Sequence, residues 1–332
     1  MAQCLTSSFT IAPVTKSVRP VRATAKAACC STSKPVRAAR LVYGAQRVVG
    51  RQAMRMSATR SVFKVQASAS VEEGLGGLEK VVLKGSDGSI AEVYTFGGVV
   101  TSWVKDGRDV LYVRPDAVFD KSKPISGGIP HCWPQFGPGA MQVHGFARNS
   151  QWELTSTTDS DDPSCVMTLT PNEYTRGMWD HDFKVTQTIT LKDGKLTAAM
   201  EVTNPGDKEF DFTGSFHTYF AASIEDVAVG GLSGLKTMDR LAGKESVQEG
   251  DVTASGPIDS VYYDAPNKLS LQVGGGRTVT IESTGWPDAV AWTPWTDMEA
   301  CYKEFFCVEN AACSPTVVAP GATWNGSMTL SV

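Results

Sequence analysis

A group that holds a proton near neutral pH, set beside one that accepts a proton, is enough for general acid–base catalysis. The chain offers few such groups. Its four histidines are His131, His144, His181 and His217. His217 sits in Ser215-Phe216-His217-Thr218-Tyr219-Phe220, and a carboxylate, Glu309, interrupts the apolar run Phe305-Phe306-Cys307-Val308-Glu309-Asn310. Brought into one cleft, that imidazole and that carboxylate would form an acid and base pair suited to pH 7. Spacing alone does not bring them together. Alternation from Val308 turns Glu309 to the solvent face of a strand, and a histidine beside Phe216, Tyr219 and Phe220 is by default a hydrogen-bonded core residue.

The segment from Ser126 to Gly139, SGGIPHCWPQFGPG, is punctuated by Gly and Pro and carries aromatics. A phosphate-cradling Gly-rich loop would lead straight into a helix whose N-terminus binds the anion, and no helical pattern follows. Its glycines read instead as permitting tight turns. His131, beside Cys132 and Trp133, either rims a pocket or packs the loop, and oxidation of Cys132 would be felt there. His181, in Trp179-Asp180-His181-Asp182, has no second histidine at a ligand spacing, which makes it a surface-loop residue rather than a metal ligand. Of the eight cysteines, Cys132, Cys165, Cys301, Cys307 and Cys313 lie beyond the first 67 residues, odd in number and without a C-x-x-C pair. Reduced thiols are expected, not a disulfide framework or a zinc site.

The elements that must position these groups are strands. From Leu78 onward, short β-branched and aromatic runs alternate with period two between Gly, Pro, Asn and Asp. They include Glu79–Lys84, Ile90–Phe96, Val99–Val104, Gln151–Thr158, Cys165–Thr170, Phe183–Leu191, Lys195–Val202, Leu269–Val273, Thr278–Ser283 and Thr323–Val332. Asp87-Gly88, Asp106-Gly107 and Asp193-Gly194 mark hairpins. With no helix alternating between the strands, the reading is all-β, a large antiparallel β-sandwich in one domain spanning 78–332. Ser122–Arg148 and Ile224–Pro266 read as long loops, where a rigid scaffold carries binding groups.

The charge is split along the chain. Lys and Arg number 31 against 35 Asp and Glu, but the first acid is Glu72, and twelve of the basic residues precede it. Residues 1–67, rich in Ser, Thr, Ala and Arg, have the composition of an organelle transit peptide, with a chloroplast favoured over a mitochondrion. Residues 68–77 read as a linker. The remainder carries 19 basic and 35 acidic residues, a net charge of −16. That field repels phosphate backbones, so nucleic acid is not an expected partner. No run approaches the ~20 apolar residues of a membrane-spanning helix. A soluble monomer acting on a small molecule is expected.

Taken in order, SGGIPHCWPQFGPG, HGFARNSQWEL from His144, SFHTYF, Asp259-Ser260-Val261-Tyr262 and CVEN resemble the aldose 1-epimerase superfamily. Within it the likeness is to the glucose-6-phosphate 1-epimerase, or hexose-6-phosphate mutarotase, branch, and it spans Leu78 to Val332. The resemblance implies a galactose-mutarotase-like supersandwich and interconversion of α and β anomers of a hexose, without cofactor or metal. It assigns His217 as general acid, protonating the ring oxygen, and Glu309 as general base on the C1 hydroxyl, with the pocket keeping Glu309 ionised and His217 protonated. His144 and Asp259 would bind sugar hydroxyls and Arg148 an anion, with Gln135 and Ser126 also expected in contact with substrate. Trp286, Trp292 and Trp295 are candidates to stack on a sugar face, or to pack the core. Two arginines of that branch are absent: Ser126 stands before Gly-Gly-Ile-Pro, and Ser260 follows Asp259. Each loss removes a possible bidentate phosphate clamp. Lys121, Lys123 and Arg148 are the cations left to replace them.

Overall fold

Asp-Gly turns close the hairpins that the sequence marks. Asp106-Gly107 and Asp193-Gly194 take positive φ at both positions, 52° and 73°, 49° and 70°, as in the two-residue turn whose twist matches its strands. They join Val99–Lys105 to Arg108–Asp109 and Lys184–Lys192 to Lys195–Thr203. The computed structural model describes residues 66–332, and there the expected strands recur with ends shifted by about two residues or less.

Three antiparallel sheets result. One is a five-stranded meander from Ser68–Glu73 to Arg108–Asp109. The second has nine strands and centres on Arg277–Thr284, Thr323–Ser331, Lys195–Thr203 and Lys184–Lys192. Burial alternates along Lys184–Lys192, so every second side chain enters the core. The third carries Lys244–Val247, Lys236–Asp239, Ile258–Tyr262, Asp288–Thr293, Phe305–Val318, Phe210–Phe216 and His131–Cys132 in that order. Tyr219–Ala221 also pairs with Phe305–Val318, opposite Phe305, Phe306 and Cys307. One apolar cluster draws side chains from all three sheets, among them Leu83, Val185 and Phe306. Burying such side chains contributes about 1.5–3 kcal/mol each.

Three expectations need correction or fall outside the structure. Residues 68–77 are not a linker. Ser68–Glu73 pairs in full register with Glu79–Lys84, and Val71, opposite Val81, extends the sheet at its edge; the segment lacks a long apolar pattern because an edge strand needs only its backbone paired. Ile224–Pro266 is not one loop but carries Ala228–Gly230, Lys236–Asp239, Lys244–Val247, Val252–Thr253 and Ile258–Tyr262. These strands have two to five residues, too few for alternation to register in the sequence. The transit segment lies outside the described residues, save Gln66 and Ala67.

Ser122–Arg148 does run mostly as irregular chain, apart from the two-residue strand His131–Cys132 and the 3-10 turn that begins at Ala147. Isolated bridges pin it, Val100 to Ile129, Val113 to Gly127 and Trp133 to Gly145. Part of this segment reaches the face of the third sheet where Glu309 lies: Phe136 packs on the cluster that holds Ala311, and Gly137, Pro138, Val143 and His144 line one cavity with Glu309.

Candidate active site

Glu309 does not face solvent. Even-numbered Phe306, Val308 and Ala312 enter the main core. Phe305 and Cys307 face the other way, and that face is covered too, by Tyr219 and Cys301 with Tyr112, Trp292 and Met298 around them. Alternation thus gives the right side of the strand for Glu309; what it cannot show is a second layer over the outer face. Glu309 is 1% exposed. Its Oε2 accepts from Ser215 Oγ at 2.9 Å, and its Oε1 lies 3.4 Å from Nδ1 of His217.

His217 reaches that contact because its strand, Phe210–Phe216, is the register partner of Phe305–Val318, Phe216 opposite Asn310. The chain leaves the strand at His217, whose N–H donates to the Pro130 carbonyl at 3.0 Å. The ring stacks on Tyr219, centroids 4.9 Å apart at 13°, and meets Trp292 and His144 edge-on at 5.4 and 5.5 Å. The imidazole is thereby fixed against Glu309 by aromatic walls.

His144 holds a left-handed backbone, φ 68°, which costs a non-glycine residue energy unless its surroundings enforce it. They do: its N–H donates to Gly137 O at 3.0 Å and its carbonyl accepts from Trp133 N–H at 3.2 Å. Gly145 next to it must be glycine, since a Cβ there would lie 2.3 Å from Trp133 O. His144 Nδ1 accepts from Gly137 N–H at 3.1 Å. The proton of the neutral ring is therefore on Nε2, a donor for a hydroxyl. Burial, then the nearby Arg148 and Arg240, push this imidazole down to about 3, so it stays neutral.

These groups line one cavity of about 540 Å³, within the range of small-molecule sites. Asp259, Arg148, Tyr219 and Trp292 line it as well. So do two residues that sequence reasoning missed, Arg114 and Arg240. Arg240 Nε and Nη2 donate to Asp259 Oδ1 at 2.8 and 2.6 Å. Arg148 Nη2 donates to Val143 O at 2.8 Å, while its buried Nε–H has no acceptor among the described residues. The chain has six arginines after Glu72, and three of them converge here. That scarcity was the available signal, but neither Arg114 nor Arg240 stands in a motif.

Other expected contacts lie elsewhere. Gln135 is outside the cavity lining; its amide donates to Gly137 O at 3.0 Å and accepts from Met141 N–H at 3.0 Å, closing the 135–142 turn. Ser126 is outside it too, its carbonyl accepting from Arg114 N–H at 3.0 Å. Lys121 and Lys123 are exposed and do not reach the cavity. Of the tryptophans only Trp292 lines it; Trp286 is core and Trp295 packs on Tyr302. His131 packs rather than rims, its ring on Trp152 and its Nε2 3.2 Å from Gly98 O. His181 lies against Trp179 and Phe210. Cys132 is 1% exposed, and burial pushes its thiol up to about 12, which makes it a poor target for oxidants. Among the described residues no three His, Cys, Asp or Glu side chains converge as a metal set.

The expected charge state of the pair is also corrected. Burial, opposed only in part by the Ser215 hydroxyl and the arginines, raises Glu309 to about 8. Burial first, then His144 and Arg148, lower His217 well below its ordinary value. Desolvation penalises either charge, so the empty site holds one proton on the carboxyl side of the pair.

The sequence pattern of the aldose 1-epimerase family matches residues 79–331, from the second paired strand, Glu79–Lys84, to the last. The chain belongs to the aldose 1-epimerase family. A relative from Cenchrus ciliaris, named "Putative glucose-6-phosphate 1-epimerase", is 37% identical over 283 residues, covering 77% of this chain and 85% of its own. One of the same name from Escherichia coli K12 is 33% identical over 239 residues, covering 66% and 79%. The crystal structure of a provisionally named mutarotase from Salmonella typhimurium superposes with a TM-score of 0.72 at 27% identity, covering 79% of this chain and 92% of that one. A galactose mutarotase-like protein from Clostridium acetobutylicum shares the fold, TM-score 0.66 at 16% identity over 80% and 98%. As in this family, the aldose 1-epimerase fold here is all-β, a large antiparallel sandwich of the galactose-mutarotase kind.

Proposed function

We propose that this chain interconverts the α and β anomers of a hexose 6-phosphate, glucose 6-phosphate being the substrate that its relatives' names indicate. The observation that carries the reading is the buried His217–Glu309 contact of 3.4 Å in a cavity with a buried, unpartnered Arg148 Nε–H. The pair supplies acid and base; the guanidinium supplies an anion contact.

Ring opening needs one proton removed from O1 and one delivered to O5. The pair's single proton is the one delivered, and the carboxylate it leaves behind receives the other. When a sugar binds, its hydroxyls add donors to Glu309 beyond Ser215, which favours the carboxylate, and the proton passes to His217, whose buried Nδ1, 3.4 Å away, has no hydrogen-bond partner among the described residues. Glu309 then takes the O1 proton as the imidazolium of His217 protonates O5, and the C1–O5 bond breaks. Rotation about C1–C2 presents the other face of the aldehyde, and the same groups close the ring in reverse. His144, as the Nε2–H tautomer, and Asp259 orient hydroxyls. Asp259 is itself held by Arg240.

The test is polarimetry of freshly dissolved α-glucose 6-phosphate and α-glucose with the full chain. Faster decay of the phosphorylated sugar is expected. Equal acceleration of both sugars would make the chain a general aldose 1-epimerase, and acceleration of neither would make it a sugar-binding module. Residues 1–67 support import into a chloroplast, with a mitochondrion as the alternative; a fluorescent fusion retained in the cytosol would refute both.

A further inference from the structure

Arg148 is not the cavity's sole means of holding an anion. Arg114, ahead of the Gly/Pro loop, lines the same cavity, and also a neighbouring one of about 430 Å³ with Asp109, Val113 and Phe119. Its Nε and Nη2 donate to Asp116 Oδ1 and Oδ2 at 2.9 and 2.5 Å. Asp116 is 63% exposed and lies outside the cavity lining. This side-on fork uses two of the five guanidinium hydrogens and fixes the plane of the group. The end-on edge, Nη1 with the second Nη2 hydrogen, makes no hydrogen bond among the described residues. It has the geometry for a bidentate contact with a phosphate.

The backbone holds Arg114 in that place. Val113 bridges Gly127, and Arg114 N–H donates to Ser126 O at 3.0 Å, so Arg114 and Ser126 are directly opposite in an antiparallel pair. Opposite residues of such a pair project to the same face, with Cβ atoms about 5 Å apart. The approach requires glycine at 127, where a Cβ would lie 2.4 Å from Val113 Cα at a φ of 125°. Tyr112, two residues before Arg114, donates its N–H to Tyr219 O at 3.0 Å, and Tyr219 stacks on His217. Arg114 is thus tied by short covalent and hydrogen-bonded steps to the catalytic imidazole.

We infer that Arg114 sets the preference for a phosphorylated over a free hexose, its end-on edge binding the 6-phosphate while Asp116 holds its outer edge. The inference rests on the hexose-phosphate reading and names the residue that enforces it. It also explains how a chain with serine at 126 retains a guanidinium on that face: the cation stands one strand across.

The experiment uses the full chain with glucose 6-phosphate as substrate and inorganic phosphate as competitive inhibitor. Arg114→Met is expected to raise the KM for glucose 6-phosphate and the inhibition constant of phosphate together, each about tenfold or more, with kcat changed by less than about threefold. Moving the cation across the pair, Arg114→Ser with Ser126→Arg, is expected to recover at least half of that loss on a logarithmic scale. If the exchange recovers nothing, Arg114 acts only through its ion pair with Asp116, and the phosphate contact is overturned. Should Arg114→Met not fold, Arg114→Lys keeps the charge but cannot serve Asp116 and phosphate with one fork. Both constants are then expected to rise about threefold, and unchanged constants would overturn the proposal. A wild-type protein that anomerises glucose 6-phosphate, with a folded Arg114→Met variant indistinguishable from it, refutes this assignment alone. A wild-type protein indifferent to the phosphate refutes the reading beneath it as well.

Discussion

Glu309→Gln is expected to lower kcat for glucose 6-phosphate anomerisation by about 10³-fold or more, with KM within about threefold of wild type. Positioned acid or base groups contribute roughly 10²–10⁴-fold each, and the amide can neither take the O1 proton nor pass one to His217. The substitution is unusually clean at this position. Burial already holds the carboxyl uncharged in the empty site, raised to about 8, so glutamine replaces a neutral group of the same shape. The Ser215 hydroxyl, 2.9 Å from Oε2, keeps an acceptor. Thermal unfolding should therefore move by only a few degrees, and the lost rate is chemical. Polarimetry and a melting curve on one preparation check both halves; a variant with more than about a tenth of wild-type kcat would remove Glu309 from the chemistry.

His217→Gln is expected to cost kcat about 10²–10³-fold, and the double variant with Glu309→Gln no more than about tenfold beyond the worse single change. Groups that pass one proton between them act as a unit, and removing either disables both. The imidazole also fills space between Tyr219 and Trp292, so some stability is lost with it. For that reason the double variant is the decisive comparison, since it measures coupling and not packing. A double loss equal to the product of the single losses would mean that His217 and Glu309 act independently, contrary to the single-proton scheme.

How far these residues could be read from the sequence differs case by case. Strands such as Lys184–Lys192 were legible because one face is core and one is not, so chemistry alternates with geometry. The Asp-Gly turns were legible because positive φ is demanding. Glu309 was not, because alternation reports which side of a strand a residue faces and says nothing of what covers that side. The order of five motifs proposes a role for it, and the structure sets its carboxylate 3.4 Å from His217 Nδ1. Gln135 stood in the right motif but closes a turn, and Ser126 gives only its backbone. Arg114 and Arg240 were invisible for the converse reason: each is paired across strands with a carboxylate or a backbone that only the folded register brings near. The charge state of the pair is not legible from the polarity of its sequence neighbours, because desolvation depends on what covers the site. At 1% exposure for Glu309 and 7% for His217, desolvation is the larger effect.

The claim on which the rest depends is that one proton, shared by His217 and Glu309, runs both ring opening and closure. The most direct test is kcat/KM for glucose 6-phosphate against pH from 7 to 10, corrected for spontaneous anomerisation, since this quantity reports groups of the free enzyme. The phosphate stays a dianion over that range. Glu309 releases its proton at about 8, and His217, lowered well below its ordinary value, has none to give; above that point the pair has a base and no acid. The rate constant should be level near pH 7 and fall tenfold per unit above about 8. A value that stays level or rises to pH 10 would show that the pair works without the shared proton, and the mechanism would be wrong.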